Sequence, residues 1–96
     1  MAPKEGNLPP DEGAWEIILA PIAKKRLAKI PQPDRRRILT AIARLSGGPC
    51  GDIAPLRGRE EWRLRVGGWR VLLLINSSVQ SITITYVDAR GGVYKK

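Results

Sequence analysis

The chain has no histidine. Imidazole is the commonest zinc ligand and the usual proton carrier near neutral pH. Its absence excludes Ser-His-Asp and Cys-His nucleophile systems and leaves any catalysis to other groups. Cysteine is nearly as scarce: Cys50 stands alone, which excludes an internal disulfide and a paired-cysteine metal knuckle and fits a reducing, cytoplasmic setting. Long apolar runs are missing too. The longest, Val71–Ile75, has five residues, against the roughly 20 that a membrane-spanning helix requires. After Lys4 the chain runs into glycine, proline and acids rather than the apolar stretch of a secretory leader. The expectation is a protein with no membrane span and no export signal. Acids are the last shortage, nine against 17 lysines and arginines, for a net charge of +8.

What is present is an ordinary globular composition in 96 residues, 43% hydrophobic and 27% charged. Such a length makes one small domain with one core, burying roughly 60% of the surface of its unfolded chain. The basic excess rises along the chain, from +3 over residues 1–52 (nine basic, six acidic) to +5 over residues 53–96 (eight basic, three acidic). A field of that sign favours a polyanionic partner such as nucleic acid, the ribosome or an acidic protein.

Residues 1–13, with three prolines, two glycines and scattered charges, read as a disordered lead-in, and residues 14–96 as a single domain. Trp15–Leu19 is short, apolar and β-branched, as a first strand is. Pro21 suits the first position of a helix whose apolar stripe is Ala23, Leu27 and Ile30, with Lys24, Lys25, Arg26 and Lys29 facing out. Pro31 and Pro33 stop it. Asp34 begins a second helix, with Ile38, Leu39, Ile42 and Leu45 as its buried face and Gly47-Gly48-Pro49 as its end. The two helices are expected to pack as an antiparallel hairpin.

From Trp62 the hydrophobic period changes from 3.6 to 2. Two alternating runs flank Gly67-Gly68, and Ile82–Val87 supplies a last strand. The fold class expected is α+β. It has an N-terminal strand, a helical hairpin and a three-stranded antiparallel meander, combined in one mainly antiparallel sheet.

The hairpin carries the functional clue. A two-residue Gly67-Gly68 turn places Val66 opposite Trp69, Arg65 opposite Arg70, Leu64 opposite Val71 and Trp62 opposite Leu73. One face then holds Trp62, Leu64, Val66, Trp69, Val71, Leu73 and Ile75, which pack on the helices. The other holds Arg63, Arg65 and Arg70, with Leu72 and Leu74 further along. Directly opposed arginines repel, a conflict expected where function overrides stability. Glu60, Glu61 and Asp88 are the acids that could neutralise this face. Left free, its guanidinium groups are bidentate donors for phosphate. Arg57 and Arg59, just ahead of the strand, and Lys95 near the end are candidate flanking contacts to a nucleic-acid backbone.

Leu56-Arg57-Gly58, the run Trp62-Arg63-Leu64-Arg65-Val66-Gly67-Gly68-Trp69-Arg70-Val71, and the tail Asp88-Ala89-Arg90 with Val93-Tyr94 together resemble the RelE/ParE toxin superfamily over about residues 15–96. The resemblance implies the compact fold shared with small microbial ribonucleases. In its RelE branch it implies a ribosome-dependent endoribonuclease that cleaves mRNA in the A site and arrests translation, held in check by a cognate antitoxin. Arg63 and Arg65 fall on the family's strand-two basic pair. Arg70 matches the arginine after the hairpin aromatic, and Arg90 and Tyr94 match the arginine and tyrosine of the tail. The implied catalytic set is therefore Arg63, Arg65, Arg70, Arg90 and Tyr94, with Arg57, Arg59 and Lys95 binding RNA. Neither metal nor cofactor is implied, and specific DNA binding is left to the antitoxin.

Cleavage by the RNA's own 2′-hydroxyl needs its deprotonation, stabilisation of a pentacoordinate phosphorus and protonation of the leaving oxygen. Arg70 and Arg90 suit the phosphate and its developing charge. Guanidinium groups do not serve as bases, so the proton acceptor is either Tyr94 or a group of the ribosomal RNA. Two other readings remain open at this stage, a ParE-like inhibitor of DNA gyrase and a non-catalytic module that binds RNA or an acidic partner. Leu72 and Leu74 are expected to form leftover apolar surface for an antitoxin segment.

Overall fold

A turn of two glycines sets the register on which the sheet is built. In the computed structural model, which describes residues 14–89, Gly67 has φ 59° and Gly68 does not share the positive φ. This is the pattern of a type II′ turn, whose twist matches that of the strands it joins. Strands β3 (Trp62–Val66) and β4 (Trp69–Asn76) pair in the expected register from Val66 opposite Trp69 to Trp62 opposite Leu73. The lead-in at residues 1–13 and the tail residues Arg90, Tyr94 and Lys95 lie outside the described residues.

The remaining strands are β1 (Glu16–Leu19), β2 (Ile53–Pro55) and β5 (Ser81–Ala89), and the sheet order is β1-β5-β4-β3-β2. All pairings are antiparallel except that of β1 with β5. The architecture is α+β, as expected, but β2 is additional. Three residues with a proline give little strand signal. An edge strand tolerates a proline, however, because one side of its backbone has no ladder to complete. A bulge between Leu72 and Leu73 lets Leu72 face Tyr86 and Leu73 face Ile84, leaving Thr85 as the extra residue.

Helix α1 (Pro21–Ala28) has Pro21 at its first turn, and Ala23, Leu27 and, just beyond it, Ile30 are buried. Helix α2 (Asp34–Arg44) runs into a 3-10 turn at Leu45–Gly47. Helix α1 packs chiefly on β5, and α2 leans on β3. Ile38, Ile42 and Leu45 are buried, but Leu39 is exposed, a correction to the expected stripe. One residue on from Ile38 turns 100° around the helix and leaves the core. The core gathers Ala23, Leu27, Ile38, Ile42 and Leu45 against Leu64, Val71, Leu73, Ile82, Ile84 and Val87. Burial of each large side chain stabilises by about 1.5–3 kcal/mol.

Two polar ties hold the layers in place. The Trp69 indole Nε1 donates to Asp34 Oδ2 at 3.1 Å, joining the hairpin to the start of α2. The Trp15 amide donates to the Ser46 carbonyl at 2.8 Å. Gly48, with φ 110°, lies under the Trp15 indole, where a Cβ would come within 3.3 Å of its nitrogen. No helix among the described residues is long and apolar enough to cross a membrane.

Candidate functional site

The face of the sheet turned away from the helices carries a row of four charged residues, one from each of four adjacent strands or their ends. Asp52 lies just ahead of β2, its carbonyl accepting the Arg65 amide at 3.0 Å. Arg65 on β3 faces Arg70 on β4, and Arg70 faces Asp88 on β5. The next row runs Ala54, Arg63, Leu72, Tyr86. The register thus brings Arg63, Arg65 and Arg70 together, as the hairpin arithmetic requires.

The charge balance of this face differs from expectation. Arg65 Nε donates to Asp52 Oδ2 at 2.9 Å, and Arg63 Nη1 stands 3.8 Å from Asp52 Oδ1. Asp52 holds both, and the sequence offered no hint of it, because β2 is too short and proline-bearing to place Asp52 on the sheet. The three acids that could have neutralised the face, Glu60, Glu61 and Asp88, do not bond Arg63, Arg65 or Arg70 among the described residues. Glu61 instead pairs with Arg59 and accepts from Thr85 Oγ1 at 3.4 Å. The Asp88 carboxylate, though opposite Arg70, goes to Arg26 Nη2 at 3.3 Å and to the Ala89 amide at 2.8 Å. Arg70 therefore has no ion pair among the described residues, and its Nε is buried without a hydrogen-bond partner. A buried donor left unpaired costs about 1–3 kcal/mol; Arg63 Nη1 is another such atom among the described residues.

Arg26 is a second correction. It does not simply face solvent with the lysines of α1. Strand β1 ends where Leu19 meets Ile84, and the Ala20 amide donates to the Ile84 carbonyl at 2.9 Å. Beyond that point no strand among the described residues pairs with the outer edge of β5. Arg26 reaches around it, donating from Nε to the Val87 carbonyl at 2.7 Å. Its guanidinium lies 4.6 Å from the centre of the Tyr86 ring, a cation–π distance.

Arg59, Glu61, Arg70, Leu72, Thr85, Tyr86 and Asp88 line a groove of about 390 Å³ on this face. Arg59 is thus brought to Arg70. Arg57 is exposed in the turn before β3 and is not part of the groove lining. Arg90, Tyr94 and Lys95 fall outside the described residues. Leu72 is only 8% exposed, so the expected leftover apolar surface is reduced to Leu74, which is half-buried. Leu72 is flanked across the strands by Arg63 and Tyr86, long side chains whose stems and ring cover it. Tyr86 and Arg26 had no sequence signal of their own; the bulge brings Tyr86 into the groove, and Arg26 meets the Tyr86 ring from outside the groove lining.

No family model matches the sequence, and no curated protein matches it closely enough to count. Solved structures do. The RelE–RelB complex of the archaeon Pyrococcus horikoshii contains a chain 25% identical, with TM-score 0.72 over 81% of this chain and 97% of that one. The RelBE2 toxin–antitoxin complex of Mycobacterium tuberculosis contains one 27% identical, with TM-score 0.64 over 80% of this chain and 99% of that one. For the RelB–RelE antitoxin–toxin complex of Methanococcus jannaschii the identity is 26%, the TM-score 0.66, and the shares are 80% and 94%. The likeness spans nearly the whole of each matched chain. By fold, this chain belongs to the RelE-type toxin superfamily.

Proposed function

We propose that the chain is the toxin of a toxin–antitoxin pair and acts in the cytoplasm as a metal-independent endoribonuclease. Its substrate is mRNA in the ribosomal A site, and its effect is arrest of translation. The reading rests on the RelE neighbours and, above all, on Arg70, whose buried Nε has no partner among the described residues and whose cross-strand acid is engaged elsewhere. The neighbours are complexes with RelB antitoxins, which supports a cognate antitoxin as the partner here.

In this mechanism Arg70 and Arg90 hold the scissile phosphate and the charge that develops on its oxygens. Arg63, Arg65 and Arg59 grip the flanking backbone, and Arg57 and Lys95 are further RNA contacts. The 2′-oxygen attacks the adjacent phosphorus, its proton passing to Tyr94 or to the ribosomal RNA. The bond from phosphorus to the 5′-oxygen breaks, and that oxygen takes up a proton. The products are a 2′,3′-cyclic phosphate and a 5′-hydroxyl. The test is primer extension of mRNA on programmed ribosomes, with wild-type protein, Arg70→Ala and a ribosome-free control. A cut in the A-site codon that requires ribosomes and is lost in the variant is the expected result; no cut from a protein that still arrests growth refutes the nuclease reading.

A further inference from the structure

Opposite charges placed directly across neighbouring strands ordinarily pair, since their Cβ atoms are only about 4.5–5.5 Å apart. Arg70 and Asp88 occupy such positions, and they do not pair. The Asp88 carboxylate is drawn to the far side of β5 by Arg26 Nη2 at 3.3 Å. Arg26 is in turn fixed by two contacts unrelated to Asp88, the 2.7 Å hydrogen bond to the Val87 carbonyl and the Tyr86 ring beneath it. This helix residue can reach the sheet's other face only because β1 stops at Leu19 and leaves the β5 edge open.

We propose that Arg26 is a positioning residue: by holding Asp88 at the outer edge of β5 it keeps Arg70 open to an RNA phosphate. The inference rests on the reading of Arg70 as a phosphate ligand and adds to it the device that keeps that ligand free. Without Arg26, a rotation of the Asp88 side chain neutralises Arg70, and an incoming phosphate must then displace a carboxylate. Arg26 itself need not touch the RNA.

The experiment measures binding of a short fluorescein-labelled single-stranded RNA by fluorescence anisotropy, with thermal unfolding of each protein in parallel. Arg26→Gln removes the charge but keeps an amide donor for the Val87 carbonyl. It is expected to weaken binding about tenfold. Adding Asp88→Asn to that variant removes the competing carboxylate and returns the affinity to within about twofold of wild type, although the Val87 and Tyr86 contacts are not restored. That rescue is the result a merely structural role does not produce. A double variant as weak as Arg26→Gln overturns the inference, as does Arg26→Gln binding like wild type while Arg70→Ala binds weakly. If Arg70→Ala itself binds like wild type, the reading of Arg70 fails, and the inference with it. Should Arg26→Gln unfold, Arg26→Lys retains a cation for Asp88. It is expected to bind within about threefold of wild type, and a larger loss in a folded protein counts against the inference.

Discussion

At the β2 end of the arginine row, Asp52 turns inward and binds Arg65; at the β5 end, Asp88 turns outward and binds Arg26. The two acids hold equivalent places, each next to an arginine across the strands, and what lies beyond the sheet decides between them. Past β5, helix α1 brings a guanidinium to the open edge. Past β2, Arg36, Arg37 and Arg44 of α2 share a groove with Asp52 but form no ion pair with it among the described residues. Cross-strand register therefore provides the opportunity for pairing, and the third dimension determines whether it is taken. At one end of the row the arginines share a carboxylate, although Arg63 Nη1 makes no hydrogen bond to it; at the other, Arg70 has no ion pair among the described residues.

The largest expected effect is at Arg70. Charge-assisted hydrogen bonds contribute about 1.5–3 kcal/mol each, so Arg70→Ala is expected to lower RNA affinity about 10- to 100-fold. The cleavage rate on programmed ribosomes should fall at least as far. Arg65→Ala comes next: its charge is already engaged by an exposed carboxylate, and such partners are worth about 0–1 kcal/mol. A loss below about fivefold follows. Equal losses for the two variants, read in the same anisotropy titration, erase the distinction between the two ends.

Asp52→Asn sharpens the comparison from the other side. With its carboxylate neutralised, Arg65 and Arg63 become available to the RNA, and affinity should rise about two- to fivefold. The dependence of binding on salt should steepen by up to about one phosphate contact, roughly 0.7 in the logarithmic slope for a single strand. Titrations at several salt concentrations read both quantities. An unchanged slope together with unchanged affinity means that Asp52 never competed with phosphate.

Period, turn chemistry and a single register were legible in the sequence. Alternation from Trp62 and a Gly-Gly turn suffice to oppose Arg65 and Arg70, because side chains in a sheet have a fixed period and a two-residue loop leaves no freedom to slip. The counter-charges were hidden for a different reason. Asp52 reaches the row through a three-residue edge strand bearing a proline, and Arg26 reaches it around a sheet edge that exists only because β1 is short. Both depend on tertiary placement, to which local pattern is blind. Leu72 misled in a related way. Its face was assigned correctly, but its exposure depended on neighbours from β3 and β5 that lie across it.

The smallest effect concerns stability, and it separates a functional carboxylate from a structural one. Asp52 is about half exposed, and an ion pair of that kind contributes at most about 1 kcal/mol. Asp52→Asn should therefore lower Tm by less than about 8 °C, the shift that 1 kcal/mol brings at most in a domain of this size. Leu73→Ala, in the centre of the sheet and fully buried, should cost about 2–5 kcal/mol. If Asp52→Asn destabilises as much as Leu73→Ala and leaves RNA affinity unchanged, Asp52 is a fastener for β2 and not a brake on the arginines. If it barely moves Tm while affinity rises, the carboxylate serves to restrain Arg65 in the absence of RNA. The like-charged pair Arg65–Arg70 is then kept tolerable by Asp52, while Asp88 is engaged by Arg26.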